Sequence, residues 1–220
     1  MKPTLIIANL KAELDFAAFT AWQESFFTEA AKFFFTDDKK LVVCPSLLHL
    51  VWFTSRVRSK KVPVDVGAQD VSAFPMGTYT GETAAQSLSA LASYAIIGHS
   101  ERRHHNYEDK SLIQQKILEA NKAGLKVILC AESPESYVGK IYALAYEPST
   151  AVGSGVAADP QASYAVMSEL KSAQEAEFYL YGGSVNKDNV QSFLSVGFEG
   201  VLVGRKSLDP THLFQIVLNS

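Results

Sequence analysis

The sequence predicts an α/β chain in which eight parallel strands close into a (β/α)8 barrel. Three observations carry that reading. Short apolar runs recur eight times, each followed by a stretch able to form a helical segment, and such alternation argues a parallel sheet with helical crossovers. No composition shift, Pro/Ser-rich linker or low-complexity run divides the 220 residues, so residues 1–220 are read as a single domain. That length falls in the lower range of one such barrel, whose members run from about 200 residues upward. A doubly wound open sheet is disfavoured because the first strand exit lacks a Gly-x-Gly-x-x-Gly turn.

Thr4–Asn9 is a near-continuous apolar run and forms the first strand. In Asp15–Phe35 the residues Phe16, Phe19, Trp22, Phe26, Ala30 and Phe33 recur at spacings of three and four, which makes one helical face for the core. Leu41–Cys44 is the second strand, and Ser46–Phe53 a short helix capped by Ser46. The basic run Arg56, Arg58, Lys60 and Lys61 has no Gly-rich companion and is read as a solvated loop, not a phosphate patch. Val62–Gly67 is the third strand, left through Gly67-Ala68-Gln69-Asp70. Ser72–Gly81 holds Pro75, Gly77 and Gly81, too many breakers for a helix, and becomes a projecting loop before the helix Thr83–Leu91.

Tyr94–Ile97 is the fourth strand, and the helix Glu108–Ala123 is stopped by Gly124. Lys126–Cys130 is the fifth strand, separated from the sixth, Ile141–Tyr146, only by Ser133–Lys140. Asp159-Pro160 caps and opens a helix reaching about Gln174. Phe178–Tyr181, the helix Asn186–Val196, the strand Gly200–Val203 and the helix Pro210–Leu218 complete the chain.

Composition bounds the partners. Hydrophobic residues at 47% and charged residues at 20% describe an ordinary globular protein. A formal net charge of -3 gives no reason to invoke nucleic acid or an anionic membrane, so an anionic ligand needs a local positive site. Leu5–Ala8 is too short for a signal peptide and no stretch approaches a membrane span. Cys44 and Cys130 close apolar runs and are read as buried free thiols, which fits a cytoplasmic location.

In a closed barrel all strand exits meet on one face, where active sites lie. Those exits carry Asn9 and Lys11, Gln69, His99, Glu147, Gly182-Gly183-Ser184 and Gly204-Arg205. One cation, one imidazole and one carboxylate therefore converge with two Gly-containing turns. Such turns suit an anion, because glycine lets backbone N–H groups approach a phosphate closely.

The same stretches resemble the triosephosphate isomerase family nearly end to end. Asn9-Leu10-Lys11 is similar to its Asn-x-Lys, Gly67–Asp70 to its Gly-Ala-Gln-Asn/Asp turn, and Tyr79-Thr80-Gly81-Glu82 to its interface loop. Gly98–Arg103 reproduces its Gly-His-Ser-Glu-Arg-Arg signature, Ala145–Pro148 its base motif, and Tyr181–Val185 its Tyr-Gly-Gly-Ser-Val turn. The resemblance implies a TIM barrel and an intramolecular aldose–ketose isomerase of glycolysis and gluconeogenesis. Its substrates would be dihydroxyacetone phosphate and D-glyceraldehyde 3-phosphate, linked by an enediolate. The family is a worked case of pKa tuning, so the following roles are carried over from it. Glu147 would be the base, His99 a neutral electrophile, Lys11 a source of positive charge, and Asn9 the group that orients Lys11 and the substrate. Gly153, Ser184, Gly204 and Arg205 would hold the phosphate. Glu101 would support the site from behind, and Tyr181 would latch the lid Pro148–Gly155. No metal or organic cofactor is implied, and His104 and His105 are read as solvated residues of a polar loop. The resemblance also implies a homodimer through Ser72–Gly81, with Thr80 near the partner's site.

Three features depart from the family pattern. The lid reads Pro148-Ser149-Thr150 in place of Pro-Val-Trp, so it lacks an aromatic anchor. The segment between strands five and six is short, as in archaeal-type relatives, which leaves a tetramer open. The second Gly after strand eight is Arg205. At positive φ a non-Gly residue there would cost about 1–2 kcal/mol; Arg205 is expected to keep the backbone contact and point its side chain outward. A non-catalytic barrel binding phosphorylated metabolites or a partner is the alternative, and the intact Asn9, Lys11, His99 and Glu147 argue against it. An aldolase-like reading needs a Schiff-base lysine inside a strand, and the strands as drawn offer none.

Overall fold

The computed structural model describes residues 2–220. Eight parallel strands pair in sequence order and β1 pairs with β8, so the sheet is a closed barrel. The strands are β1 (Thr4–Asn9), β2 (Lys39–Cys44), β3 (Asp65–Ala68), β4 (Tyr94–Ile97), β5 (Lys126–Ala131), β6 (Ala143–Tyr146), β7 (Phe178–Tyr181) and β8 (Gly200–Val203). Their side chains alternate between two apolar layers. Leu5, Ile7, Val42, Cys44, Ile96 and Cys130 fill the barrel interior, while Ile6, Ala8, Val43, Ile97 and Leu129 face the surrounding helices. This period-two pattern decides what the exits present. Asn9, Glu147, Gly182 and Gly204 each continue the inward parity of their strands.

The helices are α1 (Phe16–Lys32), α2 (Leu47–Lys60), α3 (Ala85–Ser89), α4 (Ser100–His105), α5 (Lys110–Lys122), α6 (Pro160–Ala173), α7 (Val190–Ser195) and α8 (Pro210–Asn219). Side chains of Asp15, Asp109, Asp159 and Asp209 accept backbone N–H groups at the starts of α1, α5, α6 and α8. Among the described residues no helix is long and apolar enough to cross a membrane.

Several sequence expectations need correction. The basic run is not a loop: Arg56, Arg58 and Lys60 lie in the last turn and a half of α2 and Lys61 caps it in the left-handed region. Arg56 pairs with Glu24 on α1, and Arg56 and Lys60 both lie over the Phe27 ring. The stripe of α1 begins one turn late, because Phe16 is 54% exposed whereas Gln23 and Phe27 are buried. His104 and His105 end α4 rather than occupying a loop. The strands contain Lys39, Lys40 and Lys126 after all, but at their N-terminal ends, opposite the exits.

The largest correction concerns helix number. No helix joins β5 to β6. Residues 132–142 cover the outside of those strands with Tyr137 and Ile141, both buried. Side-chain amides bind the segment's backbone: Asn121 and Gln114 each make two hydrogen bonds to it, and Tyr137 N–H donates to Gln174 Oε1 at 2.7 Å. Backbone groups that a helix would have satisfied are thereby paired.

Candidate active site

Lys11 stands just beyond β1 in the left-handed region, with φ of 53°. A non-Gly residue there is held only if its surroundings over-determine it. Three contacts do so. Lys11 N–H donates to Asn9 Oδ1 at 3.0 Å, Gln69 Nε2 donates to Lys11 O at 2.9 Å, and the ammonium pairs with Glu101. Burial opposes ionisation of Glu101, but the hydrogen bond and charge of Lys11 outweigh it and hold that carboxyl below its ordinary range. Gln69 was visible in the sequence only as a strand exit, and its grip on Lys11 needed the fold. Asp70, beside it, is tied to Arg102 and Lys116 at 2.7 Å each, which fastens the exit of β3 to α4 and α5.

His99 is out of phase with the inward residues of β4. Gly98, at φ of 70°, turns the chain between strand and helix and makes His99 the cap of α4. The Glu101 N–H donates to His99 Nδ1 at 3.2 Å. An acceptor at Nδ1 leaves the proton of a neutral imidazole on Nε2. That nitrogen lies 3.2 Å from Glu147 Oε1.

Glu147 is 1% exposed. Its Oε2 accepts Ser100 N–H at 2.9 Å, while Oε1 has no hydrogen-bond partner despite the nearby imidazole. A Cβ at Gly182 would sit 3.0 Å from Glu147 Cγ, so the β7 exit must lack a side chain for the carboxylate to fit. Burial and the Glu147 carboxylate both raise the neighbouring Cys130 thiol, which is free, as is Cys44.

Lys11, His99, Gly153, Ser184, Gly204 and Arg205 line one cavity of about 90 Å³. The lid lies over it. Ser184 Oγ donates to Ala151 O at 2.6 Å and accepts Gly155 N–H at 3.2 Å, and Tyr181 OH accepts Ala158 N–H at 2.9 Å. Burial raises the Tyr181 hydroxyl to about 12 against the Ala158 hydrogen bond, so it stays protonated. Ser149, where the aromatic anchor is lacking, gives its N–H to Glu132 Oε1 at 3.1 Å. Arg205 opens a single 3-10 turn, Arg205–Leu208, at negative φ, so the strain considered for a non-Gly residue does not arise. Its exposed side chain points toward Glu13, 3.9 Å away. Thr80 stands exposed at the tip of the 72–81 loop. Among the described residues, no group of three or more His, Cys, Asp and Glu side chains is arranged to hold a metal ion.

A closed eight-stranded barrel whose exits gather a carboxylate, a tautomer-fixed imidazole and a lysine beside glycine turns belongs to the (β/α)8 enzymes that work by proton transfer. Comparison narrows the class. The family model described as Triosephosphate isomerase matches residues 4–140 and 135–220. The break between the two matches falls in the helix-free link from β5 to β6. A triosephosphate isomerase of Halorhodospira halophila is 35% identical over 214 residues, covering 81% of this chain and 85% of the relative. One of Wolbachia pipientis is 33% identical over 201 residues, covering 81% and 79%. One of Polynucleobacter asymbioticus is 30% identical, covering 98% and 99%; that alignment spans 251 positions against a chain of 220, so the relative carries residues without counterpart here. The chain belongs to the triosephosphate isomerase family.

Proposed function

We infer that this chain interconverts dihydroxyacetone phosphate and D-glyceraldehyde 3-phosphate, a step of glycolysis and gluconeogenesis, by proton transfer through an enediolate. The observation that supports this most is the pairing of a buried Glu147 with an imidazole whose proton is directed to Nε2. Glu147 takes a proton from one carbon of the substrate and returns it to the next. His99 Nε2–H donates to the oxygen that gains charge, and a neutral donor can surrender and recover that proton as the intermediate forms and decays. Lys11, oriented through Asn9 and Gln69, supplies positive charge to the same oxygen. The N–H groups at Gly153, Gly204 and Arg205 and the Ser184 hydroxyl take the phosphate, with Tyr181 latching the lid. No cofactor enters this chemistry.

Residues 1–220 act as one cytoplasmic domain that pairs as a homodimer, with a tetramer as the alternative assembly. Exposed apolar side chains support association: Leu47, Leu48, Val51 and Trp52 on α2 lie next to Phe74, Met76 and Tyr79 of the 72–81 loop. Leu47 and Phe74 share one cavity of about 450 Å³, so the two sets form one patch, costly to leave in water. Thr80 is then placed near the partner's site. Coupled assays in both directions on wild type, Glu147→Gln and Glu147→Asp test the reading. Removing a positioned base costs about 10²–10⁴-fold in turnover. An inactive wild type, or a Glu147→Gln chain as active as wild type, would leave a binding protein in place of an enzyme.

A further inference from the structure

Glu147 stands in a wall between two cavities. On the substrate side lies the small cavity under the lid, to which His99 and Gly182 contribute but Glu147 does not. Behind it, between the exits of β4, β5 and β6, lies a second cavity of about 280 Å³, lined by Glu147 together with Ser100, Arg103, His104, Ala131 and Glu132. The carboxylate is fastened on that rear side, by the Ser100 N–H on Oε2. Two oxygens at this wall, Glu147 Oε1 and Ser100 Oγ, are buried without hydrogen-bond partners. Arg103 cannot serve them: its guanidinium is occupied by Gly98 O at 2.7 Å, Cys130 O at 3.1 Å, Glu135 and Tyr137. A polar space of this volume, with unpartnered oxygens on its wall, has the room and the partners that internal water needs. Its outer boundary is the helix-free segment after β5, where Glu132 is exposed.

We propose that the rear cavity is a water-binding site through which the proton carried by Glu147 exchanges with solvent during turnover. This rests on reading Glu147 as the base. The C–H proton passes to Glu147, giving a neutral carboxylic acid and the enediolate. The acid exchanges its proton for one from a cavity water, leaving acid and water both intact. It then protonates the adjacent carbon with hydrogen of solvent origin. Nothing is oxidised or reduced and no net charge moves. The lid seals the substrate side against such leakage, and the rear cavity lies outside that seal.

His104 is exposed on α4, lines the rear cavity and makes no contact with the groups that handle substrate. Isomerisation run in D2O, with the product analysed by proton NMR, reads the share of molecules carrying deuterium at the newly protonated carbon. His104→Trp narrows the cavity and His104→Ala widens it. The labelled share is expected to fall about threefold in the first and to rise in the second, with kcat kept within about twofold. An unchanged share in both overturns the proposal, and if His104→Trp does not fold, an unchanged share in His104→Ala overturns it equally. A share that rises in Tyr181→Phe while ignoring His104 also overturns it, since exchange then runs past the lid. An inactive wild type sinks both this proposal and the base assignment; an active one with unaltered labelling sinks the proposal alone.

Discussion

The two halves of the barrel mouth are built on opposite rules. At the exits of β1, β4 and β6 the site consists of polar side chains held by other groups: Lys11 by Asn9, Gln69 and Glu101, His99 by the Glu101 N–H, Glu147 by the Ser100 N–H. At the exits of β7 and β8 it consists of backbone, and what matters is the absence of side chains. A Cβ at Gly183 would lie 2.7 Å from the Tyr181 hydroxyl, and one at Gly204 3.2 Å from Lys11 Cε. The difference follows from the chemistry each half performs. Moving protons requires groups of particular pKa at particular points. Holding a phosphate needs only N–H dipoles brought close, which any residue supplies if its side chain stays clear.

Substitutions can break this comparison, and the largest effect is expected on the first half. Lys11→Ala removes a charge that no backbone group replaces, and kcat/KM should fall about 10²–10³-fold in steady-state assays. In the second half, Ser184→Ala loses one hydroxyl among several N–H groups, so KM should rise about tenfold with kcat less affected, as for one hydrogen bond to a charged group. A Ser184→Ala loss as large as that of Lys11→Ala would mean that the clamp depends on side chains after all. The rule against side chains extends below the mouth. A Cβ at Gly200 would fall 2.0 Å from Leu5 O, across the seam where β8 meets β1. Gly200→Ala should therefore cost at least about 1–3 kcal/mol, read from the denaturant midpoint at constant slope.

The smallest effect concerns the frame that both halves share. Burial lowers the pKa of His49, which stacks on Phe19 at 4.1 Å, below its ordinary 6.5. Between the lowered folded value and 6.5 the unfolded chain binds more protons, so stability falls as pH drops below 6.5. Replacing His49 with Tyr should flatten that slope in melts between pH 5 and 7, a range set by the ordinary histidine titration.

Much of the mouth was legible because strand periodicity and residue chemistry are local. Asn9, Glu147, Gly182 and Gly204 keep the inward parity of their strands, so an apolar run followed by a polar residue of the right parity already points into the barrel. Errors gathered where local signals compete. The α2 end was taken for a loop because Arg56, Arg58, Lys60 and Lys61 look solvated, yet long basic side chains prolong a helix when their stems pack on Phe27. The count of eight helices failed at residues 132–142, where tertiary contacts from Asn121, Gln114 and Gln174 stand in for helical hydrogen bonds.

By itself, then, the order of residues determined the alternation of strands and helices, the closed barrel it implies, and which side chains leave strands on one face. Only the tertiary structure decided how those side chains are held. Gln69 lies 58 positions from Lys11, and Ser100 lies 47 from Glu147. Contacts at such separations arise when the barrel closes, because closure brings strand ends together that the chain keeps apart. The space behind Glu147 has the same origin: it is bounded by residues of three exits, and no one segment encodes it.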